Sequence, residues 1–369
     1  MKTIKLYSIL ALALAMFSSC VDKSTRMLTV VNEDGSCTRE YSISLDSVGL
    51  VDKAKSDYAA IMESPKWVKT WSVIGEEQRH TYPMTTAQYD SIQAMMNAKG
   101  SFKNVRDTVM VYAVRTFDNA EEMSKDFNEA FKETGIKAES KVEKTFKWFY
   151  TDYTFTETFK KIPDIELVPM TDYLTEDEIS YLFTGFPSLL NGLDGEEANK
   201  VLEDIEKRCG KYYDANTFKD FTETIYNNYD KIKDAPVSKE EFKQLEDSLW
   251  QYVKDKDFAS DINKLLKEFF RSDAYNAYID GNGDAFKTNK LSNLAFINIP
   301  YRLMMPGTII DNGNSFMEEN IARFKISGFY LIHNDYTASV TSRKTNIWAF
   351  IVTGIVLLLA IGSFIIKRK

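Results

Sequence analysis

Residues 347 to 366 carry no charge over twenty consecutive positions, Ile-Trp-Ala-Phe-Ile-Val-Thr-Gly-Ile-Val-Leu-Leu-Leu-Ala-Ile-Gly-Ser-Phe-Ile-Ile, and Lys367, Arg368 and Lys369 follow them. At about 1.5 Å per residue this run covers roughly 30 Å, the thickness of a bilayer's hydrocarbon, and a helix is the form in which its backbone groups satisfy one another there. The sequence therefore predicts a transmembrane helix over 346–366, with Trp348 at one interface and a basic cytoplasmic tail, 367–369, at the other. Whatever the remaining residues fold into is expected to be held on a membrane.

The opposite end has the layout of an export signal: Lys2 and Lys5, an apolar run over 6–17, then Ser18-Ser19-Cys20. A cysteine behind two small residues resembles the lipobox of bacterial lipoproteins, where the sulfur is acylated with a palmitate-type chain. Phe17 departs from the aliphatic residue usual three positions earlier. The expectation is a signal peptide over 1–19, lipidation at Cys20, and a chain anchored twice, by an N-terminal lipid and a C-terminal helix. Lys2, Lys5 and the tail mark the cytoplasmic side, against Arg343 and Lys344 on the other flank. The expected location is the bacterial cytoplasmic (inner) membrane, with the main domain on its periplasmic, extracytoplasmic face, because outer membranes take mainly barrels. About six residues at roughly 3.3 Å each separate Cys20 from the first expected strand, which places both ends of the sheet within about 20 Å of the bilayer.

Between the anchors, a composition of 44% hydrophobic and 13% aromatic residues supplies a real core for one large or two modest domains. The formal net charge is −8. Lys2, Lys5, Lys367, Arg368 and Lys369 all lie in the signal or tail, where no acid stands, which leaves about −13 for the exported part. Such a surface is a poor partner for nucleic acid and for bare phospholipid headgroups, although a local basic patch stays open. Of three cysteines, Cys37 and Cys209 remain after Cys20, and one pair in so long an exported chain is no disulfide framework; two separate thiols are favoured.

Along the chain, 27–31 and 36–45 flank Asn32-Glu33-Asp34-Gly35 as a β-hairpin, since Asp-Gly supplies positive φ. A helix over 51–62, strands over 67–74 and 78–82, and a helix capped by Thr85 or Thr86 and stopped at Gly100 come next. A strand over 107–117 leads to a helix over 119–133, capped by Asp118, with Ala120, Met123, Phe127, Ala130 and Phe131 on one face. In 137–160, Phe146, Trp148 and Tyr150 alternate, then Tyr153, Phe155 and Phe159 do so with the opposite parity. A turn or bulge at 150–152 is expected to absorb the flip. These six aromatics are core and cross-strand pairs, or a wall facing a ligand groove. From 165 to 288 the period is helical, with capping boxes at Thr175/Glu178 and Ser238/Glu241 and stripes Phe218-Phe221-Ile225-Tyr229, Phe242-Leu245-Leu249-Val253 and Phe258-Ile262-Leu265-Phe269. Strand character returns over 294–304, 321–326 and 335–342. The fold class is α+β: a mostly antiparallel sheet domain (20–164 and 289–345), an all-helical insertion (165–288) and the transmembrane helix.

No nucleophile, metal site or phosphate loop stands out, and no catalytic residue, cofactor or metal is expected. His80 and His333 are isolated, and CxxC, P-loop, G-x-S-x-G and G-x-G-x-x-G motifs are absent from the sequence. Asp280-Gly281-Asn282-Gly283-Asp284 begins like a calcium loop, but Ala285 and Leu291 occupy the positions that need glycine and an acid, so it reads as a polar turn.

Two patches, Leu28-Thr29-Val30-Val31-Asn32-Glu33-Asp34-Gly35 and Met305-Pro306-Gly307-Thr308-Ile309-Ile310-Asp311-Asn312-Gly313, together with Phe324 and the layout of the anchors, resemble the LppM-like family of envelope lipoproteins. The patches cover little of the chain, and the helical insertion has no counterpart there. The resemblance implies an anchored, non-catalytic domain that holds a lipid-like or glycolipid-like ligand. The expected function is accordingly a non-enzymatic envelope lipoprotein that binds an envelope lipid or other hydrophobic ligand. The alternatives are a scaffold docking a membrane-protein partner through the helical insertion, and a hydrolase using scattered carboxylates.

Overall fold

Asp34-Gly35 makes the first turn of the fold, with Gly35 at φ +97° and the Asp34 carboxylate accepting from the Ser36 N–H and Oγ. The computed structural model describes residues 26–43, 59–99, 109–132, 135–163, 165–256, 258–282 and 298–367. The expected export signal, Cys20 and most of the helix expected over 51–62 lie outside them. The chain divides into a sheet unit (Val21–Lys160, Asn298–Ile326 and Asp335–Lys369) and a helical unit (Lys161–Ile297 with Ser327–Asn334).

The sheet unit holds strands β1 (Arg26–Val31), β2 (Cys37–Ile43), β3 (Val68–Val73), β4 (His80–Thr81), β5 (Val109–Phe117), β6 (Ala138–Lys147), β7 (Tyr150–Phe159), β8 (Asn298–Met304), β9 (Thr308–Asp311), β10 (Phe316–Glu318), β11 (Ile321–Ser327) and β12 (Tyr336–Thr345). They form an eight-stranded sheet, β10-β11-β8-β1-β2-β5-β3-β4, and a four-stranded one, β6-β7-β12-β9. Pairing is mostly antiparallel, and β1 runs parallel to β8, Met27 opposite Tyr301 and Val30 opposite Met304. Helices α1 (Ala59–Glu63), α2 (Thr86–Lys99) and α3 (Ala120–Ala130) belong to the same unit. Thr85 and Gln88 cap the start of α2 reciprocally. The N-cap of α3 is Asn119, which accepts from the Glu122 N–H, one residue beyond the expected Asp118; its apolar face buries Ala120, Met123 and Phe127, with Phe131 following.

Alternation fixes the inward side of each strand. β7 buries Thr151, Tyr153, Phe155, Glu157 and Phe159; β2 buries Cys37, Arg39, Tyr41 and Ile43; β12 buries Tyr336, Ala338, Val340 and Ser342. α3 is pinned to β6 by Asn128, which bonds both the N–H and the C=O of Ala138, and by Ser124 Oγ, which accepts from the Ser140 N–H.

In the helical unit, α4 (Glu176–Thr184) starts at the Thr175/Glu178 capping box and ends at Gly185 in the left-handed region, φ +83°. α5 (Gly195–Asn227) has its own box, Asp194 with Glu197. α6 (Lys239–Gln244), begun by the Ser238/Glu241 box, α7 (Glu246–Val253), α8 (Phe258–Phe270) and α9 (Ala274–Gly281) close around one core. The helical stripes converge in it: Phe218, Ile225, Phe242, Leu249, Val253 and Leu265 are buried there beside Tyr275 and Leu266. The stretch 327–334, which the sequence leaves inside the sheet domain, forms helix α10 (Gly328–His333) in this unit. Its Phe329, Leu331 and Ile332 are buried, Phe329 stacks on Phe183 at 5.3 Å, and the Leu331 carbonyl accepts from the Ile162 N–H at 2.7 Å. Cys37 and Cys209 are free, buried thiols, each pushed up to about 12 by burial.

Candidate membrane interface

The last strand, β12, passes through one residue, Asn346, into helix α11 (Ile347–Lys367), which is long and apolar enough to cross a membrane and exposes nearly all of its side chains. Asn346 is held on every side. Its side-chain amide donates to the Lys147 and Trp148 carbonyls at 2.8 and 3.3 Å, its Oδ1 accepts from Thr151 Oγ1 at 3.1 Å, and its backbone N–H reaches the Phe149 carbonyl at 2.8 Å.

The partner in all four contacts is the tip of the β6–β7 hairpin, the turn and the residues beside it. Lys147 pairs with Tyr150, so the turn is Trp148-Phe149, two residues upstream of the expected 150–152. Neither residue has positive φ, and neither is a turn former, which is why the sequence pattern misplaces the tip. The six candidate aromatics therefore divide. Tyr153, Phe155 and Phe159 point inward on β7, with Phe159 against Phe127 at 5.6 Å and Tyr301 at 6.3 Å; they fill the core. Tyr150 lies under the Arg343 guanidinium at 3.9 Å. Phe146 and Trp148 stay 57% and 47% exposed, and Phe149, absent from the sequence-derived set, 39%. These three rings meet the head of α11: Phe146 stacks on Trp348 at 6.3 Å, Trp148 meets Trp348 edge-on at 5.2 Å, and Phe149 packs on Phe350 at 4.7 Å. Trp148 Nε1 donates to Thr353 Oγ1 at 2.9 Å.

Cations collar this tip. Asp152 accepts from Arg343 at 2.7 Å and from Lys147 at 3.1 Å, and its carboxyl is held below the usual range, chiefly by Arg343. Lys344 pairs with Glu33, whose carbonyl accepts from Lys144 at 2.7 Å and from the Tyr153 hydroxyl at 3.1 Å. The β1–β2 turn thus sits at the same end of the sheet unit as the start of α11.

A second constellation lies inside the sheet unit and was missed in the sequence. Arg39 of β2 and Glu157 of β7 join the two sheets, both fully buried, with Arg39 Nη2 2.9 and 3.0 Å from the carboxylate oxygens and Ser140 Oγ donating to the same group at 2.9 Å. Burial disfavours the Arg39 charge, but the Glu157 carboxylate together with the neighbouring Tyr41 and Tyr301 more than offsets this, so the guanidinium holds its proton more tightly than usual. Its Nε and Nη1 have no hydrogen-bond partner among the described residues. The visible signal is parity: both charges stand in the inward phase, in Cys37-x-Arg39-x-Tyr41 and Phe155-x-Glu157-x-Phe159.

His80 stacks on Trp71 at 4.5 Å. His333, on α10, lies 3.0 Å from Glu176 and 3.7 Å from Glu166, a polar tie within the helical unit. Among the described residues no group of three or more His, Cys, Asp or Glu is placed to hold a metal ion. Asp280 and Gly281 form the last residues of α9, with Asp280 accepting from Asn263 Nδ2 at 3.2 Å, and Asn282 caps its end; Gly283 and Asp284 lie outside the described residues. No family model, no curated protein and no solved structure matches the chain.

Proposed function

We propose that this chain is a membrane-anchored, non-enzymatic domain of a bacterial envelope, mounted at a fixed attitude on the bilayer, that docks a membrane-protein partner. The observation that carries it is the one-residue passage from β12 to α11, clamped through Asn346 to the β6–β7 turn. A flexible tether would serve to keep a domain near a membrane; a clamped one also sets its direction, which matters to a protein that must meet a partner in the same membrane. Lipidation at Cys20 and the periplasmic face belong to this reading, as does the likeness to LppM-like lipoproteins.

Between the two kinds of ligand, the packing of Tyr153, Phe155 and Phe159 favours a protein over a lipid held inside the sheet unit, because these three of the six rings that were candidates to line a groove are spent on the core. Photo-crosslinking of the full chain in its native membrane, followed by native mass spectrometry of the purified chain, tests this. A bare chain mass and one dominant crosslinked membrane protein are the expected result. A stoichiometric lipid-sized adduct without a crosslinked protein returns the function to lipid binding.

A further inference from the structure

We propose that the β6–β7 turn is a second membrane contact: Phe146, Trp148 and Phe149 enter the interfacial layer of the bilayer that α11 crosses. The inference rests on reading α11 as a spanning helix, and its partner is the lipid surface itself.

Depth is the first argument. β7 and β12 run antiparallel with Tyr150 opposite Thr345, so the turn is level with the head of α11. Thr353, the acceptor for Trp148 Nε1, stands six residues beyond Ile347, about 9 Å along the helix axis. A side chain bonded there sits at the depth where interfacial segments bury their apolar faces, roughly 5–10 Å in.

Polarity is the second. An indole in an apolar layer needs its N–H satisfied, and Thr353 does this from the helix itself, so Trp148 enters lipid without an orphan donor. Phe146 and Phe149 carry no polar atom on the side chain. These three rings, exposed as they are in a β-hairpin, would leave apolar area in water; beside Trp348 and Phe350 they make a belt of five aromatics from segments about two hundred residues apart.

Charge is the third. Lys144, Lys147, Arg343 and Lys344 lie above the rings, against Glu33, Asp34 and Asp152, a local excess of cations in an otherwise acidic exported part. Aromatic tips below and cations above is the order in which an interfacial segment meets anionic headgroups.

The test uses the full chain in vesicles of phosphatidylethanolamine and phosphatidylglycerol containing a lipid brominated in the upper acyl chain, with tryptophan fluorescence as the readout. Trp348→Phe removes the reporter on the helix; adding Trp148→Phe removes the one on the turn. The expected result is bromolipid quenching in Trp348→Phe about two-fold greater than in the double variant, with both variants retained in membranes through an alkaline wash. Equal quenching in the two variants, with both retained, overturns the proposal and leaves the rings to be covered by protein. Release of both variants by the alkaline wash removes the spanning reading, and this proposal with it.

Discussion

Arg39 and Glu157 stand where their strands call for apolar side chains, and the pair is therefore a sharp place to test what holds the two sheets together. Removing one partner strands the other charge in the core: Arg39→Ala is expected to destabilise the sheet unit by about 3–5 kcal/mol, while Arg39→Met with Glu157→Leu is expected to recover most of that loss or exceed it. Urea unfolding of the full chain in detergent measures both. Of this residue-scale chemistry the sequence shows the inward aromatics of β7, whose parity is plain; it hides the ion pair, because neither charge identifies its partner 118 positions away. A second test lies in the helical unit. Arg208 donates to Glu178 at 2.6 and 2.9 Å and holds its carboxyl down to about 2, from an ordinary 4.5. The folded value is the lower one, so the stabilisation is complete above about pH 4.5 and is lost as pH falls towards 2. Glu178→Gln is expected to abolish that part of the acid unfolding profile, on the order of 2 kcal/mol.

At the scale of elements, capping chemistry and helical stripes are the most legible features. Thr175/Glu178 and Ser238/Glu241 are self-contained signals within four residues, and the stripes repeat over whole helices. The β6–β7 turn is the counterexample. Trp148-Phe149 has no Gly, Asn, Asp or Pro, so its position is set by the long registers of β7 with β6 and β12 and by the Asn346 clamp. Asn346→Ala is expected to speed amide hydrogen exchange at the turn by ten-fold or more, read by mass spectrometry, with the cores unchanged. Two glycines separate conformation from space. Gly35, φ +97°, has open room, and Gly35→Ala is expected to cost about 1 kcal/mol. At Gly307, φ +74°, an added Cβ would run into the backbone of Arg343, and Gly307→Ala is expected to cost at least 2–4 kcal/mol by thermal unfolding.

For the molecule as a whole, the α+β class, the helical insertion and the apolar C-terminal helix follow from composition shifts and from the twenty-residue uncharged run. The return of 327–334 to the helical unit does not, since eight residues between two strands carry no period long enough to show which core they serve. Truncation after Thr345 is expected to leave the chain on the membrane through its N-terminal lipid, and the same truncation with residues 1–20 also removed to move it to the soluble fraction, checked by immunoblot.

One strand direction bears on how such a molecule can be moored. β1 is parallel to β8, whose end leads through Pro306, bonded by Ser342 Oγ, to the same edge of the sheet from which α11 departs. β1 therefore runs toward that edge, and its first residue, Arg26, lies at the remote one, some five strand steps or about 17 Å farther away, near the limit of the roughly 20 Å expected from the short leader segment. The six steps from Cys20 to Arg26 reach at most about 20 Å. A lipid at Cys20 and a helix at Ile347 sharing one membrane leave almost no slack in that leash, so the sheet unit would be moored fore and aft.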